Sequence, residues 1–219
     1  MKVVLIGAKG KMGQIAKQAL QLTHQFSLVA EVNRGDNLNE ILKKEKPHIA
    51  LDVTSHLSVL ENTWTILNNN VRPLIGTSGL SQEDIKKIKF TCDEKKLGCL
   101  IIPNFSIAFA FINKISVQLA QYYDDKSIIE YHHSNKKDKP SGTARHTAKL
   151  IGMEESQIAS VRAEGFIAKQ QIYFQNKSER IVIDHESFSR ESFLKGIQLS
   201  LQHVIQLNHL VVGLENILG

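Results

Sequence analysis

Two cysteines, Cys92 and Cys99, are all that the 219-residue chain contains. That is too few for a disulfide framework, and neither has companions at zinc-ligand spacing, so ordinary thiols and no metal site are expected. No apolar run approaches the roughly 20 residues that span a bilayer. The apolar part of Met1-Lys2-Val3-Val4-Leu5-Ile6 is too short for a signal peptide before it meets a glycine motif. A cytoplasmic protein with no membrane partner is therefore expected. Aromatics are sparse, with one Trp and four Tyr, which leaves no stacking platform for single-stranded nucleic acid. The net charge of +5 is not gathered into a basic arm, so it suits anionic small molecules at least as well as nucleic acid, and no nucleic-acid partner is expected. Neither internal repeats nor low-complexity tracts are visible. What remains is a chain long enough for one large domain or two small ones with real cores.

The first 35 residues carry a strong local pattern. Val3-Val4-Leu5-Ile6 is a continuous apolar run of the kind a buried parallel strand shows. Gly7-Ala8-Lys9-Gly10-Lys11-Met12-Gly13 follows, and then a helix with apolar residues at Met12, Ile15, Ala16, Ala19 and Leu20. Strand, G-x-x-G-x-x-G and helix in that order suit a dinucleotide. The glycines let the chain turn tightly and let the backbone approach a pyrophosphate, and the helix start offers N–H groups to the phosphates. The next strand runs from Phe26 to Val32. An acid is expected beyond it to hold the adenosine ribose, but Asn33 and Arg34 stand there. Neutral Asn33 can hydrogen-bond a ribose hydroxyl or a 2′-phosphate, and Arg34, with Lys9 or Lys11, can offer charge to the phosphate. NADPH is expected to serve at least comparably to NADH.

Beyond this the chain alternates as a doubly wound sheet requires. Helices are expected over Leu38–Lys44, Leu57–Asn69 and 81–96, with Ser81 and Asp84 resembling a capping box. Strands are expected over His48–Thr54, Arg72–Thr77 and Gly98–Asn104. Ligands sit beyond the carboxyl ends of such strands, where Thr54, Gly76-Thr77-Ser78-Gly79 and Pro103-Asn104-Phe105-Ser106 fall. From Ile107 the alternation stops. A helix to about Tyr123, a strand over 127–133, two further strands at Phe166–Phe174 and Arg180–His185, and a last helix over Ser192–Leu207 suit a second, α+β domain on a mixed sheet. The expected fold is α/β, a Rossmann-like doubly wound parallel sheet with that second domain. Residues 1–104 with 192–219 would form the first domain and 105–191 the second, with hinges near Asn104 and Ser192.

Between the strand and helix of the second domain lies Glu130-Tyr131-His132-His133-Ser134-Asn135-Lys136-Lys137-Asp138-Lys139-Pro140-Ser141-Gly142-Thr143-Ala144. It places two imidazoles and three ammonium groups within eight residues, then turns sharply into a helix. Pro140 restricts the residue before it and Gly142 permits unusual backbone angles. The N–H groups of Gly142, Thr143 and Ala144 are expected to point outward as a nest for a carboxylate.

At these residues the chain resembles the 4-hydroxy-tetrahydrodipicolinate reductases (dihydrodipicolinate reductases) of bacterial and plant lysine and diaminopimelate synthesis. Their signature, approximately E-(x)-H-H-x-x-K-x-D-A-P-S-G-T-A, is matched at Glu130, His132, His133, Lys136, Asp138, Pro140, Ser141, Gly142, Thr143 and Ala144, with Lys139 where the pattern has alanine. Segments similar to the family's D-F-T, G-T-T-G and P-N-F-S occur, with Val53 and Ser78 as departures. An I-x-H-x-x-x-x-R segment is matched by Ile183, His185 and Arg190, whereas Ala168-Lys169-Gln170 replaces the family's G-x-H. The resemblance implies NADPH- or NADH-dependent reduction of a cyclic dicarboxylate. It implies His132 as general acid, Lys136 as the cation at the substrate, and His133, Ser141, Gly142 and Thr143 as its carboxylate contacts. It also implies that Thr54, Gly76, Thr77, Ser78, Pro103, Asn104 and Phe105 line the nicotinamide and ribose, and that the protein is a homotetramer. Two other readings share the glycine loop: a different nucleotide-dependent dehydrogenase with another catalytic loop, and a redox-sensing binder that does not need both His132 and Lys136.

Overall fold

The computed structural model describes residues 1–218. Contacts divide them into two units, Met1–Phe105 with the stretch from Phe193 onward, and Ser106–Ser192.

The first unit is built on a sheet of six parallel strands: β1 (Lys2–Ile6), β2 (Ser27–Val32), β3 (Ile49–Asp52), β4 (Arg72–Ile75), β5 (Cys99–Ile101) and β10 (Leu210–Val212), in the order β10-β5-β4-β3-β1-β2. The connecting helices are α1 (Lys11–Gln21), α2 (Leu38–Glu45), α3 (Val59–Asn68), α4 (Gln82–Lys95) and α7 (Leu194–Val204). The chain steps one way from β1 to β2 and the other way from β3 to β5. The order thus reverses between β1 and β3, which is where an open parallel sheet leaves its ligand crevice.

The short apolar strands are buried from end to end, as a sheet covered on both faces requires. Val59 and Leu67 of α3 and Ile88 and Cys92 of α4 pack with Ile75, Cys99 and Ile101. Leu42 of α2 and Ile66 of α3 pack with Val4, Ile6 and Ala50. Ser81 caps α4 in a full capping box with Asp84, as the spacing predicts. Both cysteines are free and buried.

The second unit carries α5 (Ile107–Leu119), β6 (Asp125–His132), α6 (Gly142–Leu150), β7 (Ile158–Arg162), β8 (Ala168–Gln175) and β9 (Arg180–Ser187). Its sheet has the order β7-β6-β8-β9, with β6 parallel to β7 and antiparallel to β8. Ile128 of β6, Ile172 and Phe174 of β8, and Ala144, Ala148 and Ile151 on and just after α6 form its core, with Ile112 and Leu119 of α5 packed against it.

Three expectations are corrected. Residues 158–162 form β7, where the sequence predicts no element, and Leu210–Val212 adds β10 at the sheet edge. The last helix begins at Leu194, after a short 3-10 turn over Arg190–Phe193. Among the described residues no helix is long and apolar enough to cross a membrane.

The turn from β1 into α1 depends on Gly13. A Cβ there would lie 2.3 Å from the Gly7 carbonyl oxygen and 2.5 Å from that of Ala8, both backbone atoms that cannot swing aside. Gly13→Ala is expected to destabilise the protein by about 1–3 kcal/mol, the usual cost of overpacking, and to weaken nucleotide binding as well. Urea unfolding and a nucleotide titration check this, and an unchanged unfolding midpoint would contradict it.

Candidate functional site

The functional groups fall in two places, one in each unit. In the first, Gly7 ends β1 with φ 87° and donates its N–H to Val32 O at 2.8 Å. A Cβ at Gly7 would press on Val53 O at 2.8 Å, so the loops after β1 and β3 touch only because this residue is glycine. Gly10 closes the turn with its N–H on Gly7 O at 3.0 Å, then serves as the N-cap of α1. No side chain caps that helix, so the first turn, with Lys11, Met12 and Gly13, offers uncapped N–H groups of the kind that bind phosphate.

Beside this turn lies a cavity of ≈ 570 Å³, lined among others by Gly7, Gly10, Asn33, Arg34, Thr54 and Asn62. Lys9 and Lys11 stand exposed next to it. Asn33 is partly committed: its Oδ1 accepts the Lys9 N–H at 3.0 Å, and its own N–H donates to Asp36 Oδ2 at 2.7 Å. Asp36 lines the same cavity. An acid thus stands three residues beyond position 33 and holds the Asn33 backbone, at a spacing the motif does not predict. Glycines that a Cβ would obstruct, an uncapped helix start and a cavity of this size fit a dinucleotide.

Asp52 organises the neighbouring strand ends. Its buried carboxylate accepts from Thr54 N at 2.9 Å, Thr54 Oγ1 at 2.6 Å, Thr77 Oγ1 at 2.8 Å and Asn62 Nδ2 at 2.8 Å. Gly76 lies against the Phe105 ring, where a Cβ would meet Cε2 at 2.5 Å. Ser78 is exposed, and Pro103 and Asn104 are half-buried after β5.

In the second unit, β6 ends in Glu130, Tyr131 and His132. Glu130 is fully buried. Its Oε1 accepts from Arg162 Nη2 at 2.7 Å, and its Oε2 faces His132 Nδ1. Burial alone would raise the Glu130 carboxyl, but hydrogen bonds from His132, Arg162 and Ser160 outweigh it and hold the group at about 2. An ionised carboxylate can only accept, so Nδ1 of His132 carries the hydrogen and Nε2 is left to act elsewhere.

The loop then turns through a Lys136 N–H to His133 O bond of 3.1 Å. Lys136 Nζ pairs with Asp138 Oδ1 at 2.9 Å. Burial opposes ionisation of Asp138, but the Lys136 ammonium and the Gly142 N–H overcome this and hold its carboxyl below the ordinary range. The Lys139–Pro140 bond is cis. Ser141 caps α6, its Oγ accepting the Ala144 N–H at 3.2 Å. The three-donor nest is therefore corrected: the Ala144 N–H is already satisfied by the Ser141 cap. His133 and Thr143 lie half-buried alongside.

Comparison with known proteins follows the same division. Residues 1–105 match the family described as dihydrodipicolinate reductase, N-terminus, and residues 105–218 the one described as its C-terminus. The chain belongs to the dihydrodipicolinate reductase family. The 4-hydroxy-tetrahydrodipicolinate reductase of Legionella pneumophila strain Philadelphia 1 is 36% identical over 240 residues, covering 99% of each chain. That of Coxiella burnetii strain RSA 493 is 33% identical over 237 residues, covering 100% of this chain and 99% of the other. A solved structure of dipicolinate-bound dihydrodipicolinate reductase from Paenisporosarcina sp. TG-14 superposes with a TM-score of 0.84 at 32% identity, covering 100% of this chain and 99% of that one. The reductase family is one of NADH- or NADPH-dependent oxidoreductases of lysine and diaminopimelate synthesis.

Within this reductase, Arg162 and Asp52 are the groups that motif reading missed as organisers. Arg162 lies on the unassigned β7, and Asp52 could be read only as a strand residue. The Ala168-Lys169-Gln170 departure is also explained locally. Gln170 is buried and donates to Thr147 Oγ1 at 3.0 Å, which donates to Asn113 Oδ1 at 3.0 Å, so it ties β8 to α6 and α5. His185, in the adjacent register position on β9, stacks edge-on against Phe109 at 5.5 Å, and burial lowers its pKa.

The depressed Glu130 carboxyl sets a pH dependence. A folded-state pKa below the ordinary 4.5 contributes stability that is present above that pH and lost as pH falls through about 2. Glu130→Gln lacks this contribution at any pH. The stability gap between wild type and Glu130→Gln is therefore expected to be widest above about pH 4.5 and to close towards about pH 2. Urea titrations at stepped pH check this, and a gap that stays constant or widens on acidification would contradict it.

Proposed function

We propose that the protein reduces 4-hydroxy-tetrahydrodipicolinate to tetrahydrodipicolinate with NADPH or NADH, with His132 as proton donor. The observation that carries this reading is His132 itself, buttressed through Nδ1 by an ionised, buried Glu130, so that Nε2 is the ring atom available to a substrate. Addition of one hydride and one proton, with loss of one water, balances the conversion. When bound, the reduced nicotinamide supplies the hydride. His132 gives the proton to the ring.

Lys136, His133, Ser141, Gly142 and Thr143 hold the two carboxylates. Support for a dicarboxylate comes from the dipicolinate carried by the Paenisporosarcina relative, and from Asp138, whose carboxylate already sits on the Lys136 ammonium. A substrate carboxylate would exchange with it there.

In the first unit, Gly7, Lys9, Gly10, Lys11, Met12 and Gly13 hold the pyrophosphate, and Asn33 and Arg34 the adenosine ribose. Thr54, Gly76, Thr77, Ser78, Pro103, Asn104 and Phe105 line the nicotinamide side. The domains divide near Asn104 and Ser192. A cytoplasmic homotetramer with no nucleic-acid or membrane partner completes the reading.

Replacing His132 with Gln is expected to lower turnover by about 100-fold to 10,000-fold while leaving cofactor affinity almost unchanged. Wild-type turnover should fall as pH rises and the donor loses its proton, and the variant should lack that limb. Lys136→Met is expected to weaken substrate binding and turnover together, and Lys136→Arg need not rescue it, since a planar guanidinium presents its charge differently. Steady-state kinetics with the cyclic substrate check both, and near-full turnover in the His132 variant would place the acid elsewhere.

The cofactor preference has its own check. NADPH is expected to serve at least comparably to NADH, because Arg34 offers charge to a 2′-phosphate, and Asp36→Asn should shift the ratio further towards NADPH. Specificity constants for both nucleotides at low salt decide it. An NADH preference of about a hundredfold or more would contradict the role given to this loop.

A further inference from the structure

We infer that Arg162 is a positioning residue for the reaction, fixing His132 and the Lys136 loop to each other through one guanidinium. The inference rests on the roles given above to His132 and Lys136. Arg162 ends β7 directly opposite His132 in the parallel ladder with β6. Its side chain is only 6% exposed, although it carries a full charge.

Four of the guanidinium's five N–H donors meet acceptors, on all three nitrogens. Nη2 lies 2.7 Å from Glu130 Oε1 and 2.6 Å from the carbonyl oxygen of Asp138. Nε lies 3.2 Å from the carbonyl oxygen of Lys136, and Nη1 lies 2.8 Å from that of Val161. On one side the guanidinium holds the carboxylate whose other oxygen takes the His132 Nδ1–H. On the other it holds the backbone of the two residues that form the Lys136–Asp138 ion pair.

Burying a charged pair contributes little to stability compared with apolar residues of the same volume, so stability alone is a poor reason for this arrangement. Geometry is a better one. The stretch 133–141 has no regular secondary structure; its turn bond from the Lys136 N–H to His133 O holds it only locally, and the Arg162 fork adds a tie to Glu130 and through it to His132. A planar group with donors on three nitrogens can serve four acceptors at fixed angles, which an ammonium cannot. Displacing a reacting group by about 1 Å can cost about 100-fold in rate, so losing the tie should be felt in turnover even though Arg162 itself is assigned no contact with substrate.

The test uses the full-length protein with the cyclic substrate and NADPH. Arg162→Lys keeps the charge but not the fork. The double variant Glu130→Gln with Arg162→Met removes both buried charges, so that neither is left unpaired. Circular dichroism and thermal melts establish that each variant is folded.

Both are expected to lose about 100-fold in kcat, with a raised KM for the substrate and an unchanged Kd for NADPH, since the nucleotide loop belongs to the other unit. Introduced into a Lys136→Met background, Arg162→Lys is expected to cost far less than in wild type, because one of the two groups it aligns is already gone. A merely structural residue would cost the same factor in both backgrounds.

His132→Gln, assayed in parallel, separates the two levels of the argument. If it retains turnover, the assignment of the acid fails and the inference about Arg162 falls with it. If it loses turnover while folded Arg162→Lys and the double variant stay within about threefold of wild type in kcat and KM, or if the Lys136→Met background leaves the Arg162→Lys factor unchanged, the inference about Arg162 alone is overturned.

Discussion

A buried carboxylate at the end of a strand is the constraint on which the second unit's site depends. Glu130 is removed from water, and its ionised state persists only because Arg162, His132 and Ser160 donate to it. Losing either member of the Glu130–Arg162 pair alone would leave an uncompensated buried charge, at about 3–5 kcal/mol. That cost makes the arrangement close to all-or-none. With Glu130 ionised, Arg162 held and His132 in a single tautomer, the loop that follows has fixed points at Lys136 and Asp138. Without them it is a lysine-rich segment with no regular structure.

The first unit uses the same device without a cation. Asp52 at the end of β3 is buried, and four donors from Thr54, Thr77 and Asn62 converge on it. The residues it gathers border the point where the strand order reverses, and Gly7 lets the β1 loop lie directly on Val53. In both units a carboxylate that cannot leave its donors sets the ends of strands, which carry the candidate ligand groups. Backbone sterics finish the task in the first unit and an ion pair in the second.

The parts of this design that were legible in the sequence are those written in consecutive residues. The turn through Gly7, Gly10 and Gly13 is forced by backbone contacts that only glycine permits, so its spacing survives as a motif. The same holds for the Ser81–Asp84 box, the buried strands with unbroken apolar runs, and the loop from Glu130 to Ala144. What could not be read is what long-range pairing creates. Ile158–Arg162 is a short edge strand without a continuous apolar run, and it becomes a strand because β6 offers it a parallel ladder. Arg162 meets Glu130 across 32 residues of chain, so no local pattern announces it. The helix start at Gly142 follows from the sequence, but the Ser141 cap that takes the Ala144 N–H does not follow from spacing alone.

An ionised Glu130 takes the Nδ1–H of His132 and so leaves Nε2 for the proposed proton transfer. Nitrogen-15 NMR of histidine-labelled protein reads this directly. At a pH where the His132 ring is neutral, the expected spectrum has Nδ1 protonated, with its proton shifted downfield by the carboxylate and Nε2 bare, and Glu130→Gln should remove that proton's downfield shift. A neutral His132 ring protonated at Nε2, or an Nδ1 proton indifferent to Glu130→Gln, would contradict the claim.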